Sequence, residues 1–196
     1  MSLRKLVFTM LLGAHLSACA SLPPPAPTTF LDEDTGVTLT VVAKPLVLAR
    51  DRRDIAANAR DYITLVAVER NQAGRRNLVL LAYRWSTIDR RVNPQADADS
   101  RGLVLVADGR DIRLQAVSDL LPTELRPRAQ LLQPDVTDVA AMAYQIDEST
   151  LRYIAESVRI SGFYADVRGA LPFTLWADGR EALGEFAAAL GARPRR

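Results

Sequence analysis

The sequence predicts a mainly β fold, an antiparallel immunoglobulin-like β-sandwich carrying two short helices. Short runs rich in apolar and β-branched residues recur from Val37 to Trp176. Turn chemistry separates them, and helical spacing of apolar residues is confined to two stretches near the C-terminus. The composition agrees: 196 residues, 48% hydrophobic, 24% charged and 6% aromatic, as in an ordinary globular chain of one domain with appendages.

In chain order, Val37-Thr-Leu-Thr-Val-Val-Ala43 alternates and reads as a first strand. Asp61 to Glu69 and Leu78 to Trp85 read as a hairpin, with Asn71-Gln-Ala-Gly74 supplying the turn. Leu103 to Ala107 and Ile112 to Val117 flank Asp108-Gly109, a strong two-residue hairpin signal. Val139 to Ile146, Val158 to Tyr164 and Leu171 to Trp176 are further strands. Near 149–156 a short helix places Leu151, Ile154 and Ala155 on one face, capped by Ser149 or Asp147. Near 180–190 an amphipathic helix presents Leu183, Phe186, Ala187 and Leu190.

One pattern breaks the sandwich rule of one apolar and one polar face per strand. The runs at 61–69 and 78–85 are apolar on both faces, so the outer face needs a cover. The C-terminal helix is the expected cover, and a partner protein is the alternative.

The N-terminus carries a different signal. Arg4 and Lys5 precede an apolar stretch from Leu6 to Ala18, shorter than the roughly 20 residues a membrane-spanning helix needs. It runs through Leu16-Ser17-Ala18 into Cys19, the only cysteine. These four residues match the lipobox at each position, and the segment resembles that of bacterial lipoproteins. The resemblance implies cleavage between Ala18 and Cys19, diacylglyceryl transfer to the Cys19 thiol and acylation of the new amino terminus. Residues 1–18 are then a removed signal, 19–29 a lipidated, proline-rich tether, and 30–196 a single domain. Ala20 and Ser21, rather than Asp, follow Cys19; within the same resemblance this implies the outer membrane, with the domain facing the periplasm.

Cleavage changes what the composition means. The signal holds two of the 25 basic residues and none of the 23 acidic ones, so the mature chain balances and suggests no nucleic-acid partner. Cleavage also removes His15, the only histidine, and acylation uses the only thiol. A Ser-His-Asp triad, a Cys-His dyad, a histidine-ligated zinc and an intrachain disulfide are thereby excluded.

The remaining chemistry is sparse. Asp97, Asp99, Gly102 and Asp108 fall at calcium-loop spacing, but Arg101 stands where an oxygen ligand belongs. Among carboxylates, Asp89, Asp97, Asp99, Glu69 and Asp166 include no pair that spacing forces together. No metal, cofactor or catalytic residue is therefore expected. Arg84, Trp85, Asp89 and Arg90, where a strand runs into a loop, are the candidate interaction residues, because Trp and Arg concentrate at interface hot spots. The plainer expectation is that Trp85 and Trp176 pack in the core and that Arg84 pairs with Asp89. Taken together, these features predict a non-enzymatic envelope lipoprotein that contacts another envelope protein. A glycan- or small-ligand-binding module and a carboxylate-based hydrolase are the alternatives.

Overall fold

A computed structural model of the chain describes residues 26–33, 36–88, 102–117, 132–136, 138–165 and 172–192. The lipobox, Asp89, Arg90, Asp97, Asp99, Arg101 and Asp166 lie outside these residues. The described strands are β1 (Thr28–Asp32), β2 (Val37–Val41), β3 (Leu46–Asp51), β4 (Arg60–Gln72), β5 (Arg75–Ser86) and β6 (Leu103–Ala107). They continue with β7 (Arg110–Arg113), β8 (Gln115–Ala116), β9 (Ala140–Gln145), β10 (Ile160–Tyr164) and β11 (Phe173–Ala177). Two helices, α1 (Glu148–Glu156) and α2 (Arg180–Gly191), fall where apolar spacing predicts them.

The strands pair antiparallel into one sheet, ordered β7-β6-β10-β11-β3-β4-β5-β9-β8. Its ends meet in a single stretch of chain. β7 pairs with β6 and β8 pairs with β9, with only Leu114 between them. The Leu114 N–H donates to the Leu103 carbonyl (3.0 Å), and that of Val117 to the Ala143 carbonyl (2.9 Å). The sheet thus curls into a nearly closed barrel, where two facing sheets of an immunoglobulin-like sandwich were expected. Strand spacing and alternation are the same in both architectures, so only the pairing of the 110–117 stretch distinguishes them.

β4 is the organising strand. At 13 residues it is long enough to pair with β3 along Arg60–Leu65 and with β2 along Val68–Gln72, on the same edge. β3 is absent from the sequence reading, although Leu46-Val-Leu-Ala-Arg-Asp alternates as a strand should. β1 also begins at Thr28, inside the stretch read as tether. The β4–β5 turn is tight, with Ala73 and Gly74 both at positive φ (52° and 86°), as a two-residue hairpin of this hand requires.

Following register around the barrel, the inward rows include Leu46 and Leu48 of β3, Ile63, Leu65 and Ala67 of β4, and Leu80 and Ala82 of β5. Leu103 and Leu105 of β6, Tyr144 of β9 and Phe173 of β11 complete this buried core. Fully burying one such side chain contributes about 1.5–3 kcal/mol. The outward rows of the β4–β5 hairpin, Val66, Val68, Val79, Leu81 and Tyr83, are equally buried within the single chain. They belong to the same cluster, against which Leu132 and Val139 of the β8–β9 connection also pack.

Both helices gather at one end of the barrel. The Tyr153 hydroxyl on α1 donates to the Ala107 carbonyl at the end of β6 (3.1 Å). At the start of α2, Arg180 donates to the Ser157 and Val158 carbonyls just before β10. At its finish, Arg76 donates to the Leu190 carbonyl (3.1 Å) while holding the buried Glu69 carboxylate. Glu69 belongs to the inward row, so α2 closes the inner side of the hairpin rather than covering its outer face, the role expected of it. Leu151, Ile154, Leu183, Phe186 and Leu190 join the core cluster there.

Candidate functional site

The opposite end of the barrel is built from the β3–β4 hairpin, the end of β5 and β11, whose Phe173 lies at this end and whose Trp176 reaches back to Tyr62. Successive strand residues point to opposite faces, so each strand here contributes one group inside and one outside. Arg84 and Trp85, adjacent in sequence, part company for this reason.

Inside, charge is concentrated. Asp61 faces inward and is 4% exposed. It accepts from Arg50 at 2.7 Å and from Arg52 at 3.1 Å. Burial pushes its carboxyl up, but the hydrogen bonds from Arg50, Ser86 and Arg52 outweigh that and hold it below the ordinary carboxylate range. The Arg50 guanidinium lies 4.5 Å from the centroid of the Phe173 ring, and that of Arg84 lies 5.2 Å from the Tyr164 ring. Arg84 thus packs within the barrel; its expected partner, Asp89, lies outside the described residues. Burial raises the Tyr164 hydroxyl to about 12, so it stays protonated across the physiological range.

Outside, aromatic residues form a ledge. Trp85 stacks on Tyr62 with centroids 4.0 Å apart and planes 8° from parallel, and its indole N–H donates to the Thr64 hydroxyl at 3.0 Å. Trp176 meets Tyr62 edge-on at 5.9 Å, and the Arg60 guanidinium lies 4.5 Å from the Trp176 ring centroid. Both tryptophans of the chain are therefore in one cluster. Tyr62 is the buried floor at 7% exposure, whereas Trp176 is 54% exposed.

Trp176 was expected in the core, and the β3–β11 register explains the difference. Leu175 pairs with Leu48 but Ala177 pairs with Val47, so Trp176 is the extra residue of a β-bulge. Such a bulge re-aims a side chain, here outward onto Tyr62. Flanking apolar residues gave the opposite expectation because they cannot reveal a register shift.

The rim of the ledge carries both signs of charge. Asp51 pairs with Arg60 (2.8 Å) and with Arg53 (3.4 Å), and Asp54 pairs with Arg52 (2.9 Å). Asp51 and Asp54 are held below the ordinary carboxylate range by hydrogen bonds from Arg60 and Arg52 respectively.

Of the predicted interaction residues, Trp85 joins this ledge, Arg84 lies on the opposite face, and Asp89 and Arg90 are outside the described residues. Arg50, Arg52, Arg60, Asp61 and Tyr62 were not singled out as interaction residues, and Trp176 was assigned to the core instead. Of the calcium-spaced residues, Asp108 accepts hydrogen bonds from the Val158 and Arg159 backbone N–H groups. Among the described residues no group of three His, Cys, Asp or Glu side chains is placed to hold a metal. No described helix is long and apolar enough to cross a membrane. Comparison with protein-family models, with curated proteins and with solved structures finds no match.

Proposed function

We propose that this protein is an outer-membrane-anchored lipoprotein whose barrel domain, facing the periplasm, works by contact with another envelope protein rather than by catalysis. The observation that carries the contact reading is Trp176, half-exposed by a bulge above the Trp85–Tyr62 stack. An aromatic anchor on a rigid floor, rimmed by arginine and aspartate, has the composition of an interface hot spot. The lipobox residues Leu16-Ser17-Ala18-Cys19 support the anchor. A non-catalytic role is supported by the buried carboxylates: Asp61 is engaged by Arg50 and Arg52, and Glu69 by Arg76.

In-cell cross-linking followed by affinity capture tests this reading, comparing wild type with Cys19→Ser and Trp176→Ala. A specific envelope protein trapped by wild type and lost from both variants is the expected result. Recovery of bulk membrane protein alone overturns it and directs the search to glycans, which also stack on tryptophan.

A further inference from the structure

Charge is not shared evenly beside Trp176. The Arg60 guanidinium lies 4.5 Å from the Trp176 ring centroid, and its Nε donates to one oxygen of Asp51 at 2.8 Å. Arg53 reaches the other oxygen of the same carboxylate at 3.4 Å. Two guanidiniums thus share one carboxylate at the edge of the ledge, which leaves a local surplus of positive charge. The neighbouring pairs do not offset it. Asp61 is divided between Arg50 and Arg52, and Arg52 also holds Asp54. Across this group of ion pairs, four arginines face three aspartates. The two arginines on Asp51 differ in position. Arg60 packs against the indole, whereas the Arg53 side chain is 82% exposed and presents most of its planar donor fork to solvent.

We propose that the ledge receives an acidic segment of its protein partner, with an apolar side chain seated on Trp176 and a neighbouring carboxylate bound by Arg53 and Arg60. This rests on the contact reading above. Arg60 touches both the indole and Asp51, so the apolar and acidic groups of the partner must be near neighbours in its chain. A carboxylate there meets guanidinium donors in the planar geometry that favours paired hydrogen bonds, and it balances the surplus. A basic segment would set its cations against Arg53 and add to that surplus, which disfavours it. An anionic lipid surface fits less well. It presents a dense layer of phosphates that Asp51 and Asp54 oppose, and a single exposed indole inserts little apolar area.

The test places a photo-reactive phenylalanine analogue at Thr174, exposed in the outer row Thr174–Ala49–Tyr62, in the full-length protein in cells. The captured peptide is then sequenced by mass spectrometry. Companions carry the same probe with Trp176→Ala, Arg53→Gln, Arg53→Lys or Arg53→Glu. The three Arg53 variants change an exposed side chain, so their melting temperatures should match the wild type. The expected capture is a peptide with Asp or Glu beside an apolar residue at the cross-linked site. Its yield should fall about tenfold or more with Trp176→Ala and about two- to fivefold with Arg53→Gln. Arg53→Glu should lower it roughly tenfold, and Arg53→Lys should keep most of it. Changing the captured acidic residue to Arg should restore the yield of Arg53→Glu. A captured peptide without acidic residues overturns the proposal and leaves the contact function standing, as does a yield that Arg53→Glu leaves unchanged or raises. Adducts with lipid or glycan alone, or no adduct from the wild type, overturn the contact reading and the proposal with it.

Discussion

Asp61 is the residue on which the arginine-rich end of the barrel depends. It is the buried carboxylate between Arg50 and Arg52, and removing one partner of a buried pair strands the others without compensation. Asp61→Asn is expected to cost about 3–5 kcal/mol at neutral pH. Its folded pKa is depressed, so its contribution is full above the unfolded carboxylate value near 4 and is lost as pH falls through the folded value. Urea titrations at pH 7 and pH 3 should show the variant's deficit shrinking at the lower pH. A deficit of equal size at both values would mean that the charge of Asp61 is not what stabilises the fold. Gly179 is critical for a steric reason. A Cβ there would sit 2.3 Å from the Pro45 carbonyl oxygen, and backbone cannot swing aside as a side chain can. Gly179→Ala should destabilise by about 1–3 kcal/mol, measurable as a lowered denaturation midpoint with an unchanged denaturant slope.

At the scale of elements, caps and turns were legible and register was not. Asp147, one of two candidate caps, accepts from the Thr150 N–H at 2.7 Å and opens α1. Asp147→Ala should cost about 1 kcal/mol, checked by thermal melting. At the entry to α2, Arg180 bonds to Asp178 and holds its carboxyl down at about 2. The Asp108-Gly109 turn was readable because positive φ at both positions (48° and 84°) needs those residue types. β3 was harder to see because Pro45 precedes it and charged residues end it, so its apolar run is short. Trp176 was misplaced because its position depends on a bulge against a strand far away in sequence. The arginine–aspartate cluster was hidden for a similar reason. Arg50 and Asp61 face each other only in the β3–β4 register, and sequence spacing looks the same for a solvated pair. Where a feature depended on neighbours within a few residues, sequence sufficed; where it depended on which strand lies alongside, it did not.

For the whole molecule, stability and contact should separate cleanly at the two tryptophans. Trp176 contributes an edge-on ring contact and a guanidinium contact at a half-exposed site, so Trp176→Ala should cost at most about 1.5 kcal/mol. Trp85→Ala loses a stacked ring and a hydrogen bond, and about 3–5 kcal/mol is expected. Melting both variants alongside cross-linking would show whether the contact is lost while the fold persists, which is the outcome expected for Trp176→Ala alone. The same nearly closed architecture constrains how the domain is made. β3, near the start, has β4 on one side and β11 on the other, with Leu48 opposite Leu175. A chain emerging from its N-terminus can form the β4–β5 hairpin early, because that pairing is local. Its barrel nevertheless lacks a stave until residue 177 is free, and the last helix follows only then. Until almost the whole length has been delivered, the barrel stays open along one edge of β3, and only the arrival of β11 turns a partly paired sheet into a rigid body.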